Sequence, residues 1–268
     1  IQKAIELISS GQSLSAEQTT EVMNALMADD AAPKDIKSFL TALHEKRESV
    51  DEIVGTARAL RARMTRLKTT RHNTIDTCGT GGSGLNIFNI STAAAIVAAA
   101  AGASVAKHGN RKSTSKSGSA DVLVELGVNI ECSLETVEKC LNQIGICFCF
   151  APLFHPSVAK VTRVRKKLPF PTIFNLCGPL CNPVDAPFQV LGAGRADMRI
   201  PLAEALVQLG TQRAMVVHGR DGIGEITISD VTDVTEIRNG HLANRELLPE
   251  DFGIDRSGIE LLKVQNPQ

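Results

Sequence analysis

The first 65 or so residues carry a helical pattern of apolar and polar positions and no strand signal. Ser15 with Gln18, and Ser49 with Glu52, form capping boxes ahead of apolar-periodic segments. Pro33 suits the first turn of the helix between them. In the last segment one helical face is apolar, at Val50, Ile53, Val54, Ala57 and Leu60. The pattern predicts four helices that form a small bundle, or a bundle that seeks a partner.

Beyond about residue 73 the pattern changes to short apolar runs bounded by Gly and Pro, alternating with helical segments. The runs NTIDTCG, ASVAKHG, ICFCFAP, PTIFNLCG and RAMVVHG predict strands, whereas STAAAIVAAAAG and ADVLVELG predict helices. The alternation predicts a mainly parallel sheet with helices on both faces. EITISDVTDVTEI and its continuation to Leu242 alternate apolar and polar residues, which predicts an antiparallel excursion. We therefore predict an α/β fold with a small helical domain at 1–68 and a larger α/β domain at 69–268.

The composition of the chain argues against several classes of protein. The chain has 268 residues, no net formal charge, no Trp and no Tyr, so its core must be aliphatic. Neutral charge argues against a dedicated nucleic-acid or acidic-lipid surface. The seven cysteines include no CxxC pair, which argues against zinc and indicates buried thiols in a reducing compartment. The longest apolar run, 93–106, is too short to span a bilayer comfortably. We expect a cytoplasmic protein.

The stretch GTGGSG, Gly79 to Gly84, follows a predicted strand and precedes a predicted helix. Such a loop is either a tight turn or a phosphate cradle, because glycines let backbone N–H groups approach a phosphate closely. Its spacing matches neither the Walker loop nor the dinucleotide fingerprint. Asn89, Ser91 and Thr92 follow at the start of the helix, and three small polar groups exceed what a cap requires.

A second loop, KHGNRKSTSKSGSAD, follows the next predicted strand. A basic loop is often only a solvated surface. Here cations, hydroxyls and glycines gather at a second strand end, which is what an anion of several charges requires. Two such loops on neighbouring strands predict a site for one elongated polyanion such as a pyrophosphate.

GTGG, NIST, KHGNR and SKSGSAD, in this order, resemble the motifs of the anthranilate phosphoribosyltransferases, a family of tryptophan biosynthesis within the nucleoside phosphorylase/phosphoribosyltransferase superfamily. RVRKKL, TIFNLCGPLCNP and VVHGRDGIGEIT resemble further segments of that family. The resemblance covers essentially the whole chain. It implies a homodimer formed through the helical domain, and transfer of phosphoribose from phosphoribosyl pyrophosphate to the amine of anthranilate, with release of pyrophosphate.

The resemblance also implies roles for individual residues. Lys107, Asn110 and Arg165 would be catalytic, with Lys107 and Mg²⁺ stabilising the leaving group. Gly79, Asn110 and Arg165 would hold anthranilate, and Ser91 and Glu225 would coordinate Mg²⁺. The remaining residues that would bind substrates are Gly82, Ser83, Ile87, Asn89, Ile90, Thr92, His108, Gly109, Arg111, Lys112, Ser113, Thr114, Ser115 and Ser119. We expect His108 to position its neighbours and His155 to form pocket wall.

Two positions depart from the family pattern, which has Asp where this chain has Ser83 and Gly224. Mg²⁺ prefers carboxylate oxygens, so the loss of two carboxylates should weaken or alter metal binding unless Asp221 compensates. The chain also ends soon after DFGI, where family members continue, and we expect a truncated C-terminus. Two alternatives remain: a relative with another acceptor or a phosphorylase-like reaction, and a non-catalytic relative that binds nucleotides or nucleic acid.

Overall fold

A computed structural model describes residues 1–82, 84–111 and 118–264. Its N-terminal part is the predicted helical bundle, with helices α1 (Gln2–Ser9), α2 (Ala16–Leu26), α3 (Pro33–Lys46) and α4 (Val50–Arg63). Ser15 caps α2 and Ser49 caps α4, each within a complete capping box. Pro33 lies in the first turn of α3, as predicted.

Helix α4 joins the bundle to the rest of the molecule. Ile53, Val54 and Ala57 are buried in one continuous core with Leu191 and Leu202 of the α/β part. The exposed large apolar side chains of the described residues all lie beyond residue 87. The apolar faces of these helices therefore contact one another and the α/β part.

The described residues beyond the bundle include a seven-stranded sheet with the strand order β3-β2-β1-β4-β5-β6-β7. Neighbours from β3 to β5 pair in parallel, whereas β5, β6 and β7 pair antiparallel, which confirms the predicted fold class. The strands are β1 (Thr74–Gly79), β2 (Ser104–Gly109), β3 (Ile146–Phe150), β4 (Phe188–Gly192), β5 (Arg213–Gly219), β6 (Thr232–Arg238) and β7 (His241–Leu247).

Helices connect and cover these strands. They are α5 (Ile90–Ala100), α6 (Ser119–Glu125), α7 (Leu134–Lys139), α8 (Ala151–Phe154), α9 (Ala159–Arg165), α10 (Ile173–Cys177) and α11 (Arg199–Gln208). The prediction of a strand at PTIFNLCG is wrong, because this segment contains α10. A short apolar run bounded by Pro and Gly cannot be assigned to strand or helix by periodicity.

The order of strands fixes where a ligand can bind. β1 lies between β2 and β4, so the chain winds outward in both directions from β1. Ligands of open α/β sheets bind beyond the carboxyl ends of the strands at such a switch point. β1, β2, β4 and β5 all end there in a glycine. The two loops singled out in the sequence therefore follow neighbouring strands, as predicted.

Candidate functional site

The glycine loop after β1 has a backbone that other residues adopt rarely. Gly81, Gly82 and Gly84 have φ angles of +66°, +86° and +70°. The loop is anchored on the end of β4, since Thr80 N donates to Gly192 O at 2.9 Å. Ser83 lies outside the described residues. The loop leaves Gly79, Gly81 and Gly82 exposed at the end of β1.

Glycines of the next loops allow close backbone approach. A Cβ atom on Gly192 would overlap the carbonyl oxygen of Gly224, and one on Gly194 would overlap that of Gly81. Gly194 N also donates to Thr80 Oγ1 at 2.9 Å. The loops that follow β1, β4 and β5 are thus packed backbone to backbone, which brings the glycine loop and the segment of Glu225 to one place. Gly192 and Gly194 belong to no motif singled out in the sequence.

The three polar residues at the start of α5 have separate roles. Asn89 is the cap, since its Oδ1 accepts from Thr92 N at 3.2 Å. Ser91 Oγ accepts from Lys107 Nζ at 3.1 Å. Thr92 Oγ1 is buried and has no hydrogen-bond partner among the described residues. Ile87 and Ile90 lie in the half-buried stretch that enters the helix. Asn89 alone therefore caps the helix, as the sequence suggested, and Ser91 and Thr92 can take part in the site.

Lys107 is the buried cation of this site. Its Nζ donates to Thr77 O and to Ser91 Oγ, which ties the end of β2 to β1 and α5. Burial lowers the pKa of Lys107, and the charges of Asp76, Cys78 and Glu225 oppose that fall. The ammonium therefore lies where an incoming anion would meet it in a poorly hydrated setting.

Asp76 is a site residue that sequence reasoning did not assign. It is fully buried, and its Oδ1 accepts from His108 N at 3.0 Å while Cys78 Sγ lies 3.4 Å from Oδ2. Burial raises the pKa of Asp76, and hydrogen bonding from Asn182 and the charge of Lys107 oppose the rise. Its signal in the sequence was an acidic residue inside a strand that is otherwise buried. We infer that it is the counter-charge of Lys107.

Glu225 follows β5 and is half-buried. Burial raises its pKa to about 7, and the charge of Lys107 opposes the rise. No hydrogen bond joins its carboxylate to another described residue. Asp221 does not supply a second free carboxylate, because its Oδ2 accepts from Thr227 Oγ1 and Ser229 Oγ, and its Oδ1 accepts from Ile223 N at 3.3 Å. Asp221 shapes the loop instead of compensating for Gly224.

The predicted metal ligands, Ser91 and Glu225, both lie near Lys107. The described residues contain no group of three or more His, Cys, Asp or Glu side chains that could hold a metal ion. Mg²⁺ needs six oxygens and is commonly bound by one or two carboxylates together with substrate phosphates. One carboxylate and one hydroxyl fit a Mg²⁺ ion that arrives with a diphosphate, and do not fit a site made by the protein alone.

Across the site, Arg165 ends α9 and is half-buried. Its Nη2 donates to Asn175 Oδ1 at 2.9 Å, and its guanidinium lies 4.9 Å from the ring centroid of Phe174. Its Nε is buried without a partner among the described residues, as is Thr172 Oγ1. Burial lowers the pKa of Arg165 to about 10, which leaves it charged at neutral pH. A carboxylate would satisfy both the charge and the open donor.

His108 and His155 line the same region, with ring centroids 5.1 Å apart. His108 Nδ1 lies 3.1 Å from Gly178 O, and the Nε2 atoms of both rings are buried without partners among the described residues. Burial lowers the pKa of His108 to about 3, so this ring is neutral. Gly178 directly follows α10 and Arg165 bonds Asn175 in the middle of α10, so one short helix of about 7–8 Å links the surroundings of the two groups.

The second loop is described in part. Asn110 and Arg111 are exposed, and Arg111 Nη2 donates to Glu131 Oε1 at 3.2 Å. Gly109 ends β2, and Ser119 Oγ donates to the carbonyl oxygen of Asn110 at 3.3 Å. Lys112, Ser113, Thr114 and Ser115 lie outside the described residues. The structure thus brings together Lys107, Ser91 and Glu225, and it closes the base of the second loop with Ser119.

The fold and this site define a class of protein with a helical bundle and an α/β transferase domain. Residues 2–64 match the family model described as the glycosyl transferase family, helical bundle domain, and residues 71–268 match that of the glycosyl transferase family, a/b domain. Anthranilate phosphoribosyltransferase from Rhodopirellula baltica is 49% identical over 96% of this chain and 75% of the relative. This chain belongs to the anthranilate phosphoribosyltransferase family.

Solved structures agree with this assignment. The anthranilate phosphoribosyltransferase of Thermus thermophilus superposes with a TM-score of 0.91 at 41% identity, over 98% of this chain and 78% of that one. The enzyme from Saccharomyces cerevisiae in complex with PRPP and Mg superposes with a TM-score of 0.85 at 28% identity, over 95% of this chain and 74% of that one. The yeast enzyme has also been solved in complex with 4-fluoroanthranilate. Among the described residues no helix is long and apolar enough to cross a membrane.

Proposed function

We propose that this protein transfers the phosphoribosyl group of 5-phosphoribosyl 1-pyrophosphate to the amine of anthranilate, giving N-(5-phosphoribosyl)anthranilate and pyrophosphate, a step of tryptophan biosynthesis. The observation that carries the proposal is the buried Lys107 ammonium, held by Thr77 and Ser91 beside the glycine loop at the switch point of the sheet. Relatives with this name, one of them solved with PRPP and Mg, support the same substrates.

On the donor side, the reaction breaks the bond between ribose C1 and the pyrophosphate oxygen. Negative charge builds on the leaving group, and positive charge builds on the sugar. Lys107 and the N–H groups of the glycine loop are fixed in place before the reaction, so they stabilise the leaving group without reorganising. Bound Mg²⁺, held by Ser91, Glu225 and the phosphates, would neutralise further charge on the pyrophosphate.

On the acceptor side, Arg165 would bind the carboxylate of anthranilate and aim its amine at ribose C1. The aromatic amine is neutral at pH 7, so it attacks without a strong base, and the proton that it loses as the C–N bond forms passes to the departing pyrophosphate or to solvent. The neutral His108 ring and the His155 ring would form the walls of this pocket, and positioning is then the main contribution of this side. Asn110 and Gly79 would complete the acceptor site, as the family resemblance implies.

A fluorescence assay tests this function. The protein is mixed with phosphoribosyl pyrophosphate, Mg²⁺ and anthranilate, and loss of anthranilate fluorescence is followed; the absence of Trp and Tyr keeps the background low. We expect turnover that depends on all three components. If there is no turnover at high Mg²⁺ while calorimetry detects binding of the donor, the protein is a binding relative or takes another acceptor.

The remaining assignments are proposals as well. A homodimer through the helical domain follows from the family resemblance, whereas a domain boundary near residue 68 and a cytoplasmic location follow from the sequence pattern and composition. The outer face of the bundle presents no exposed large apolar side chain among the described residues, so a dimer interface there would be more polar than we expected. Sedimentation equilibrium of the protein and of a variant with charge reversals on α1 and α3 would test the dimer.

A further inference from the structure

A segment near the end of the described chain contacts two loops of the candidate site. We call residues 257–264 the strap. At its start, Ser257 N donates to Ile228 O at 2.9 Å, three residues after Glu225. At its end, Leu262 O accepts from Phe88 N at 2.8 Å and Val264 N donates to Asn86 O at 2.9 Å. The strap therefore links the loop of Glu225 to the stretch that joins the glycine loop to α5.

The contact at residues 86–88 has the geometry of a short antiparallel strand pair. Ile87 and Lys263 are partners in an isolated antiparallel bridge. The bonds of Phe88 and Val264 flank this pair on both sides, so Ile87 and Lys263 form a non-hydrogen-bonded pair, in which Cα atoms lie about 4.5 Å apart. Backbone pairing of this kind does not depend on the side chains, which is why no pattern of residues predicted it.

The pairing matters because it holds residues 86–88, the stretch that joins the glycine loop to α5. The stretch lies between Gly84, with a φ of +70°, and Asn89, the cap of α5, and it contains Ile87, one of the predicted donor-binding residues. A glycine-rich loop loses much conformational entropy when it closes on a ligand. A loop that is already paired on one side loses less, and the gain appears as affinity.

We propose that the strap is a positioning element that orders the donor-binding loop before phosphoribosyl pyrophosphate arrives and couples it to the loop of Glu225. This inference rests on the proposed function and adds residues 257–264 to it. Lys263 and Leu261 are exposed, and the strap acts through its backbone. Its removal should weaken binding of the donor much more than binding of anthranilate.

The direct test is Val264→Pro, which removes the N–H that donates to Asn86 O. We expect the KM for the donor to rise by about five- to tenfold, the size of one lost hydrogen bond, with little change in the KM for anthranilate. Val264→Ala keeps the N–H and is the matched control, with a donor KM expected within about twofold of the original. Equal donor KM values for the Pro and Ala variants, or equal rises in both substrate KM values, would overturn the proposal.

A second variant avoids the risk that Pro disturbs folding. Ile87→Cys combined with Lys263→Cys places two thiols at a distance that a disulfide can bridge. The same protein is then compared oxidised and reduced by calorimetry with phosphoribosyl pyrophosphate. We expect the oxidised form to bind the donor at least as tightly as the reduced form. Loss of donor binding on oxidation would contradict the proposal, whereas failure of the unsubstituted protein to bind the donor would instead contradict the proposed function.

Discussion

The two halves of the candidate site differ in how far their polar groups are satisfied. On the donor half, Lys107 donates to Thr77 and Ser91 and Asp76 accepts from His108 N, while Thr92 Oγ1 and the Glu225 carboxylate have no hydrogen-bond partner among the described residues. On the acceptor half, Arg165 Nε, Thr172 Oγ1 and the Nε2 atoms of His108 and His155 are buried without partners among the described residues. An unpaired buried polar atom costs about 1–3 kcal/mol, so the acceptor half is the part of the site that a polar ligand would stabilise most.

The difference suggests that the two halves have different roles in the reaction. The donor half is preorganised, which suits the stabilisation of charge that appears only as the pyrophosphate leaves. The acceptor half keeps donors open, which suits recognition of a carboxylate that is present from the start. Substitutions in the donor half should therefore reduce kcat, and substitutions in the acceptor half should raise the KM for anthranilate.

The largest effect is expected for Lys107→Met, which removes the buried cation and keeps most of its volume. Turnover should fall by about a hundredfold to a thousandfold, the usual result of removing one preorganised group that stabilises developing charge. Steady-state kinetics with both substrates saturating measures it. Lys34→Met removes an exposed lysine of the helical domain and is the control, and a similar loss in both variants would exclude a specific role for Lys107.

Asp76→Asn should have the next largest effect. The amide keeps an oxygen that can accept from His108 N but removes the counter-charge of Lys107. A buried cation without its carboxylate is strongly disfavoured, so we expect kcat/KM for the donor to fall by at least about tenfold. Circular dichroism and thermal unfolding establish that the variant is folded. A variant that is less stable but fully active would show that Asp76 serves stability only.

Arg165→Ala tests the acceptor half. Loss of a charge-assisted bond to the anthranilate carboxylate should raise the KM for anthranilate by about ten- to a hundredfold, while the KM for the donor stays nearly constant. The neighbouring Arg163 is exposed, so Arg163→Ala is the matched control. Equal changes in the two KM values would contradict the assignment of Arg165 to the acceptor.

How far these roles could be predicted from the sequence depends on the kind of signal. Capping boxes and apolar periodicity predicted the bundle. Glycine-containing loops after two strands predicted the two loops of the donor half. α10 was mistaken for a strand because the five residues between Thr172 and Gly178, four of them apolar, are too few to show a period. Asp76 was missed although an acidic residue inside a buried strand is a signal, and the strap could not be predicted because it depends on backbone pairing between distant segments.

Gly224→Asp tests whether a second carboxylate strengthens Mg²⁺ binding at the site. A Cβ atom at Gly224 would lie 3.1 Å from Ala193 O and 3.2 Å from Gly194 Cα, so the loop must shift by a few tenths of an ångström. We expect the Mg²⁺ concentration for half-maximal activity to fall by about three- to tenfold, because a second carboxylate joins Glu225. Gly224→Asn has the same size without the charge and isolates the steric cost. An unchanged Mg²⁺ titration would refute the placement of Glu225 at the metal.

The smallest expected effect is a loss of folding stability at acidic pH. Burial lowers the pKa of His108 from its ordinary 6.5 to about 3, so between these values the unfolded chain binds a proton that the folded protein does not. Stability is therefore unaffected above pH 6.5 and falls as the pH drops below it, by about 2 kcal/mol between pH 6.5 and pH 5. Urea unfolding of the protein and of His108→Asn at pH 7 and pH 5 measures it. An equal loss in both would show that other groups cause the acid sensitivity.

The most direct test of the whole site is a crystal structure with phosphoribosyl pyrophosphate and Mg²⁺ bound. We predict the pyrophosphate at the ends of β1 and β2, within hydrogen-bonding distance of Lys107 Nζ and the N–H groups of the glycine loop, and the Arg165 pocket left free for anthranilate. A pyrophosphate bound at Arg165, or a donor that makes no contact with Lys107, would contradict the division of the site into these two halves.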